Sequence, residues 1–174
     1  MLLKTPRLTI RTIRPEDWQS IRRIWLDFNQ SPYAPYDVPH FTDPEHVRQR
    51  IARWAEASQG TDHMFFAVCL QEQVIGYIAF NIRPDSHEIG YCFHSAFHGR
   101  GYARESHEAL FAHLRPLGFT RFTVRTALSN APSVALLRAL GFVQTGRETV
   151  AFHQDAQGNP ISFEGGVFFL DTLR

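Results

Sequence analysis

Cysteine is scarce in this chain, with two in 174 residues, and both Cys69 and Cys92 sit inside apolar, strand-like runs. Two thiols so placed read as a reduced core pair, which excludes a disulfide framework. Charge of one sign is scarce as well. Eighteen Lys and Arg against 17 Asp and Glu leave a net charge of +1, so no strong field points to nucleic acid or to an anionic membrane. No apolar run approaches the ~20 residues of a membrane span. The opening residues carry Lys4 and Arg7 but no apolar core leading to a cleavage site. A secretory signal is therefore not expected, and a cytoplasmic location is.

Several catalytic signatures are missing too. There is no Gly-x-Ser-x-Gly for a serine hydrolase. His107-Glu108 begins like His-Glu-x-x-His, but Phe111 occupies the second ligand position. His94, His98 and His107 lack acidic or cysteine companions at metal spacing, so they read as solvated or pocket-lining and no metal is expected.

What is present is the composition of one folded domain, residues 1–174, with 44% apolar and 20% charged residues. Leu8 to Ile13 alternates apolar and polar, the period of a strand with one buried face. Pro15, Glu16 and Asp17 open a helix on which Trp18, Ile21, Trp25 and Phe28 recur at helical spacing. Asn29 to Phe41 is a loop stiffened by Pro32, Pro35 and Pro39, and it carries Tyr33, Tyr36 and His40. Thr42 or Asp43 caps a second helix with Val47, Ile51, Trp54 and Ala55 on its apolar stripe. Strands follow at Met64 to Leu70 and Val74 to Ile82, and a third holds Glu88. A helix runs past Ala103, a strand spans Phe119 to Thr126, and Ser129 or Asn130 caps a last helix ending at Gly141. Phe142 to Phe152 and Ile161 to Leu173 form a hairpin around Asp155 to Pro160. The order β-α-α-β-β-β-α-β-α-β-β predicts an α/β chain of the α+β type, with a mixed, largely antiparallel central sheet flanked by helices on both faces.

The chain is organised around one stretch, His94 to Ser106. A buried-looking strand, Glu88 to Phe93, leads into His98-Gly99-Arg100-Gly101-Tyr102-Ala103, and a helix follows. Glycines at 99 and 101 let the backbone turn tightly and approach a ligand. The first helical amides and the dipole there favour an anion, and Arg100 and Arg104 add positive charge. Strand, glycine turn and helix together suit a phosphate. A dinucleotide fingerprint would need Gly or Ala where Arg104 stands, and an acid near Arg121 to Arg125, where there is none. A P-loop would need Gly-Lys-Ser/Thr, and Gly101-Tyr102-Ala103 supplies neither lysine nor hydroxyl.

A third pattern fits. His98 to Ala103 resembles the acetyl-CoA pyrophosphate loop of the Gcn5-related N-acetyltransferases (GNAT), Gln/Arg-x-x-Gly-x-Gly/Ala, with Gly101 and Ala103 matching and His98 standing where Gln or Arg is usual. Asn130 to Phe142, which passes through Ser133 and ends in Leu-Gly-Phe, is similar to the second cofactor-contacting segment of that family. Leu3 to Leu8, Arg11 and Arg14 to Asp17 resemble the start of the RimJ/RimL branch, whose members include enzymes acetylating N-terminal amines of ribosomal proteins.

That resemblance implies a GNAT-like acyl-CoA N-acyltransferase fold, an acyltransferase activity and acetyl-CoA as co-substrate. It implies that the backbone at Gly99, Arg100, Gly101, Tyr102 and Ala103 takes the pyrophosphate, that Tyr91 and Phe93 pair with the pantetheine arm, and that Asn130 holds the cofactor from the other side. His98, at the loop's variant position, is included in the cofactor set. Glu88 is the candidate general base; strand alternation sets Glu88, Gly90 and Cys92 on one face and Ile89, Tyr91 and Phe93 on the other. Its place at the start of that strand suits a proton relay through water. Ser133 is the candidate proton donor to the leaving thiolate, because Leu137 stands where many relatives carry tyrosine. Tyr33, Tyr36 and His40 are expected to wall the acceptor pocket. The implied reaction is attack of a neutral amine on the thioester, and a weakly equipped site suits a low-pKa amine such as a peptide α-amine. Two other readings are a small-molecule amine acetyltransferase and a non-catalytic acyl-CoA-binding module. A homodimer is also among the expectations, since members of that branch often pair.

Overall fold

The computed structural model describes residues 1–173. Eight strands, β1 (Leu2–Lys4), β2 (Leu8–Thr12), β3 (His63–Leu70), β4 (Gln73–Arg83), β5 (Ser86–Phe93), β6 (Arg121–Ala127), β7 (Val143–Gln154) and β8 (Pro160–Asp171), make one sheet in the order β1-β2-β3-β4-β5-β6-β8-β7. Every neighbouring pair is antiparallel except β5 and β6. This is the mixed, largely antiparallel sheet expected. β1 is an addition to the expected order: three residues are too few to show a period, and only pairing with β2, from Leu2 opposite Arg11 to Lys4 opposite Thr9, defines it.

Helices cover both faces. On one side α1 (Trp18–Asn29) and α2 (Pro44–Ala57) pack over a cluster that includes Ile21, Ile24, Trp25, Val47 and Ile51. On the other, α3 (Tyr102–Leu114) and α4 (Ala131–Ala139) cover a cluster with Leu110, Phe111, Leu114, Val134 and Leu137. β3 shows why a central strand reads as a continuous apolar run. Its Phe65, Ala67 and Cys69 enter the first cluster, while Met64, Phe66 and Val68 enter the second. Burying a side chain such as Ile21 or Phe80 completely contributes roughly 1.5–3 kcal/mol.

The alternation predicted for β5 is observed, with Cys92 in the α1/α2 cluster and Ile89 and Phe93 in the α3/α4 cluster. Both cysteines are buried and free. Of the two residues considered as the cap of α2, Asp43 does the work, since its carboxylate accepts the His46 N–H at 2.9 Å. No helix among the described residues is long and apolar enough to cross a membrane.

Candidate active site

The site begins where two parallel strands part. β5 and β6 are in register only at His87 opposite Phe122 and Glu88 opposite Thr123. From Val124 onward β6 continues against β8 alone, and β5 from Ile89 keeps only β4 as its partner. The His94 N–H donates to the Ile75 carbonyl at 3.0 Å. Counting back along the ladder, the amides of Phe93 and Tyr91 face away from β4, into the gap. Phe93 is seated by Gly76, where a Cβ would run into the phenyl ring.

The loop that follows closes one end of this gap. Gly99 and Gly101 have φ of +71° and +79°, left-handed values that a Cβ disfavours. Gly101 is the N-cap of α3, and no side chain caps that helix. The leading amides of α3 thus lack partners from within their own helix. His98 turns back onto β5, its Nε2 2.8 Å from the Phe93 carbonyl; a carbonyl only accepts, so that nitrogen is the donor.

Arg7, on the segment between β1 and β2, staples the loop from outside. Its Nε donates to Glu105 Oε2 at 2.7 Å and its Nη1 to the Arg100 carbonyl at 2.8 Å, and its guanidinium lies 4.7 Å from the Tyr102 ring centroid. Partial desolvation works against ionisation of Glu105, but hydrogen bonds from Thr5 and Arg7 outweigh it and hold its carboxyl below the usual range. Sequence reasoning missed this staple, which joins residues about a hundred positions apart in the chain. Arg104 shares its charge with Glu108 at 2.8 Å.

α4 supplies the opposite wall. Asn130, not Ser129, is its N-cap: Asn130 Oδ1 accepts the Ser133 N–H at 3.2 Å, which leaves the amide nitrogen available to a ligand. The Ser133 hydroxyl lies 2.6 Å from the Tyr91 phenol oxygen. Burial pushes the Tyr91 phenol up to about 12 against the pull of the Ser133 hydrogen bond. Tyr91 entered the sequence argument for its backbone alone; its hydroxyl is a feature of the site that the packing of α4 over β5 creates.

Two cavities meet at this pair. One, of about 480 Å³, is lined by Tyr91, Phe93, His98, Gly99, Gly101, Tyr102, Ala103 and Asn130, among others. The second, of about 590 Å³, is walled by Tyr33, Tyr36, Trp54, Tyr77, Phe152 and Phe163, with Glu88, Arg50, Arg83, Arg125 and Glu148 at its charged edges. Phe28, Tyr33, Tyr91, Asn130 and Ser133 border both.

Two expectations need correction, and Glu88 gains two partners: it borders the second cavity with Oε2 on Arg83 Nε at 2.7 Å and Oε1 on Arg125 Nη1 at 3.2 Å. Neither arginine was foreseen, because each reaches Glu88 only through strand pairing. His40 is absent from the cavity wall. Its ring stacks on Trp25 at 5.2 Å and 2° and meets Phe28 edge-on, because the proline loop folds back onto α1. His107 is neither solvated nor pocket-lining. It is 1% exposed, one turn before Leu110 and Phe111 on the buried face of α3. Nδ1 donates to the Ala103 carbonyl at 2.7 Å, Nε2 has no partner among the described residues, and burial pushes the imidazole down to about 4.

The first cavity fits the group that the sequence resemblance implies. Its floor is a strand edge released from its neighbour, and its end is a pair of left-handed glycines. A Cβ on Gly99 would meet no atom within 4 Å, so the backbone there is open to a ligand. Tyr91, Phe93, Asn130 and Ser133, which are far apart in sequence, converge on it with the glycine loop.

Comparison with known proteins agrees in kind. Residues 7–143 match the family described as the acetyltransferase (GNAT) domain. An uncharacterized N-acetyltransferase of Bacillus subtilis strain 168, YnaD, is 26% identical over 151 residues, 84% of this chain and 85% of its own. Among solved structures, a ribosomal L7/L12 α-N-protein acetyltransferase, RimL, in complex with coenzyme A superposes with a TM-score of 0.83 at 19% identity, covering 100% of both chains. The ribosomal-protein-S5-alanine acetyltransferase of Vibrio fischeri gives 0.80 at 19% identity, over 99% of this chain and 97% of its own. At those identities the two structures speak for the fold.

Proposed function

This chain belongs to the GNAT acetyltransferase family, an acyltransferase family that uses acetyl-CoA, and from that premise we propose that it acetylates a primary amine of low pKa, of the kind a peptide N-terminus presents. The observation that carries the reading is the junction of the two cavities at Tyr91 and Ser133. One chamber has the lining a cofactor needs, the other has aromatic and ionic walls, and they touch at a pair of hydroxyls.

Acetyl-CoA, when bound, supplies the activated carbonyl and a thiolate leaving group. Gly99 to Ala103 and the uncapped start of α3 cradle its pyrophosphate through backbone amides. The outward amides of Tyr91 and Phe93 align the arm as an added strand would, with His98 fixing the carbonyl of Phe93. Asn130 steadies the same group with the amide nitrogen that its cap leaves over. Ser133 donates the proton that the departing sulfur requires. Glu88, on the acceptor side, receives the amine proton through water.

The amine demands little of this equipment. An α-amine titrates at roughly 7.7–8.0 against about 10.4 for lysine, so a substantial minority is already neutral near pH 7. The RimL and S5-alanine acetyltransferases named above act on ribosomal proteins, and their shared fold makes N-terminal peptides the first acceptors to offer. Release of free CoA thiol from acetyl-CoA is measured with N-terminal peptides and small amines, with thermal stabilisation by acetyl-CoA in parallel. Turnover of peptides with slow lysine ε-amines is expected. Turnover confined to small amines would replace the acceptor class, and stabilisation without any turnover would favour a binding module. In the same assay Glu88→Gln is expected to lower kcat at least tenfold with acetyl-CoA binding retained; unchanged turnover would remove Glu88 from proton transfer.

A further inference from the structure

The charged groups bordering the acceptor cavity are Asp37, Glu88 and Glu148 against Arg50, Arg83 and Arg125. Most are already matched. Arg83 and Arg125 hold Glu88, and Arg125 also reaches Glu148 at 3.4 Å. Asp37 Oδ1 accepts the Val38 N–H at 2.7 Å, and the His40 ring lies 3.6 Å from its other oxygen.

Arg50 is the exception. It makes no hydrogen bond or ion pair with any described residue; its guanidinium lies 4.9 Å from the Trp25 ring centroid and 5.4 Å from that of Trp54. Trp54 follows Arg50 by one helical turn on α2, and Trp25 projects from α1, so two separate elements build this seat. Both indoles are themselves fixed. Trp25 is fully buried and donates to Tyr77 Oη at 3.0 Å, and Trp54 stacks on Phe65 at 4.3 Å.

An indole face attracts a guanidinium but satisfies none of its N–H donors. These contacts hold the Arg50 guanidinium against two indoles that stand at 84° to each other, and they leave its N–H donors without an acceptor among the described residues. A half-buried guanidinium with free donors matches the planar two-oxygen geometry of a carboxylate.

We infer that Arg50 is a binding residue for a carboxylate carried by the acceptor, so that the preferred substrate is an amine bearing an acid group. This deepens the acetyltransferase reading and rests on it. The carboxylate comes either from an acidic side chain near a peptide N-terminus or from a small amino acid. In both cases the recognised chemistry is the same, and only the body of the acceptor differs.

The test uses acceptors matched except for the acid. One arm compares N-terminal peptides with Glu or Gln at each of the first three positions, and the other compares free amino acids with their amides. Each pair is assayed for CoA release and titrated calorimetrically in the presence of CoA, with the wild type, Arg50→Met and Arg50→Lys. For the wild type, the acid member of at least one pair is expected to win by roughly tenfold or more in kcat/KM, mostly through KM. Arg50→Met should bring that ratio close to one, and Arg50→Lys should retain part of it. Whichever arm shows the preference identifies the source of the carboxylate. A wild-type ratio near one in every pair, or a ratio that survives Arg50→Met, overturns the inference. Acetyl-CoA affinity, measured for every variant, certifies the fold. Its absence in the wild type would strike the acetyltransferase reading, whereas intact affinity with no acid preference strikes the role of Arg50 alone.

Discussion

The phenol oxygen of Tyr91 and the hydroxyl oxygen of Ser133 lie 2.6 Å apart, 42 residues apart in the chain, on the line where the two cavities join. Tyr91 comes from β5 and Ser133 from the first turn of α4. The phenol, raised to about 12, stays protonated through neutral pH. With Tyr91 as donor, the serine oxygen is satisfied and its own proton is free to turn towards the cofactor side. Tyr91 is on this reading a positioning residue for Ser133, and it answers the absence of a tyrosine at Leu137.

Tyr91→Phe removes one neutral hydrogen bond and keeps the ring that packs edge-on against His107 at 4.9 Å. A bond of that kind contributes about 1 kcal/mol, so kcat is expected to fall roughly fivefold with KM for acetyl-CoA little changed. Ser133→Ala deletes the donor itself and is expected to cost about a hundredfold in kcat. Steady-state kinetics of the two variants and of their combination check the pair. If the double variant loses the full product of both effects, the two hydroxyls act independently and the positioning role is wrong.

Local features carried most of the legible part of the fold. β5, the glycine loop, the start of α3 and the Asn130 cap were each readable because period, turn chemistry and capping act over a few residues. Partnership across the sheet was not. Tyr91 and Ser133 meet only because α4 lies over β5, and Glu88 meets Arg125 only because β5 and β6 run parallel for two registered pairs. His40 sits in a loop whose prolines announce stiffness without direction, and its stacking on Trp25 depends on where that loop lands. Arg50 could have been suspected from its place one turn before Trp54, but the lack of a partner is a property of the folded surroundings. His107 was the most readable of the misses. It precedes Leu110 and Phe111 at the spacing that marks the buried stripe of α3.

Gly101 is the position where a side chain should do most harm to cofactor binding. Its φ of +79° is costly for any residue with a Cβ, and a Cβ there would lie 3.3 Å from Nη2 of Arg7. Gly101→Val adds β-branching to that strain, about 1–2 kcal/mol or more. The loop would have to move, and Arg7 would lose its grip on Glu105 and the Arg100 carbonyl. Isothermal titration is expected to show at least a tenfold loss of acetyl-CoA affinity. Gly99→Ala, with φ +71° but open space around the new methyl, should lose less. Equal affinities for Gly101→Val and the wild type would sink the assignment of this loop to the pyrophosphate.

His107 makes stability depend on mild acid. In the folded chain its imidazole is held neutral down to about 4, whereas in the unfolded chain it titrates near 6.5. Between these values the unfolded state binds the additional proton, so stability is complete above about pH 6.5 and declines as pH falls towards 4. Below that, both states are protonated and this group adds no further loss. At 1.36 kcal/mol per unit the decline amounts to about 3 kcal/mol. Glu105 has the opposite starting point. Its carboxyl is held below the ordinary 4.5, so its contribution is present above that value and is lost only in stronger acid. The two effects therefore separate along the pH axis. His107→Leu fills the same space between Tyr91 and Phe111 without a titrating nitrogen, and it removes a buried Nε2 that has no partner among the described residues. Urea unfolding of the wild type should lose stability between pH 6.5 and 4, while His107→Leu should lose distinctly less, the remainder including His87, which burial also holds below its ordinary value, and should be the more stable of the two at pH 5. Parallel curves for the two proteins would mean that His107 is already protonated in the folded chain, and that its burial beside Tyr91 has been misjudged.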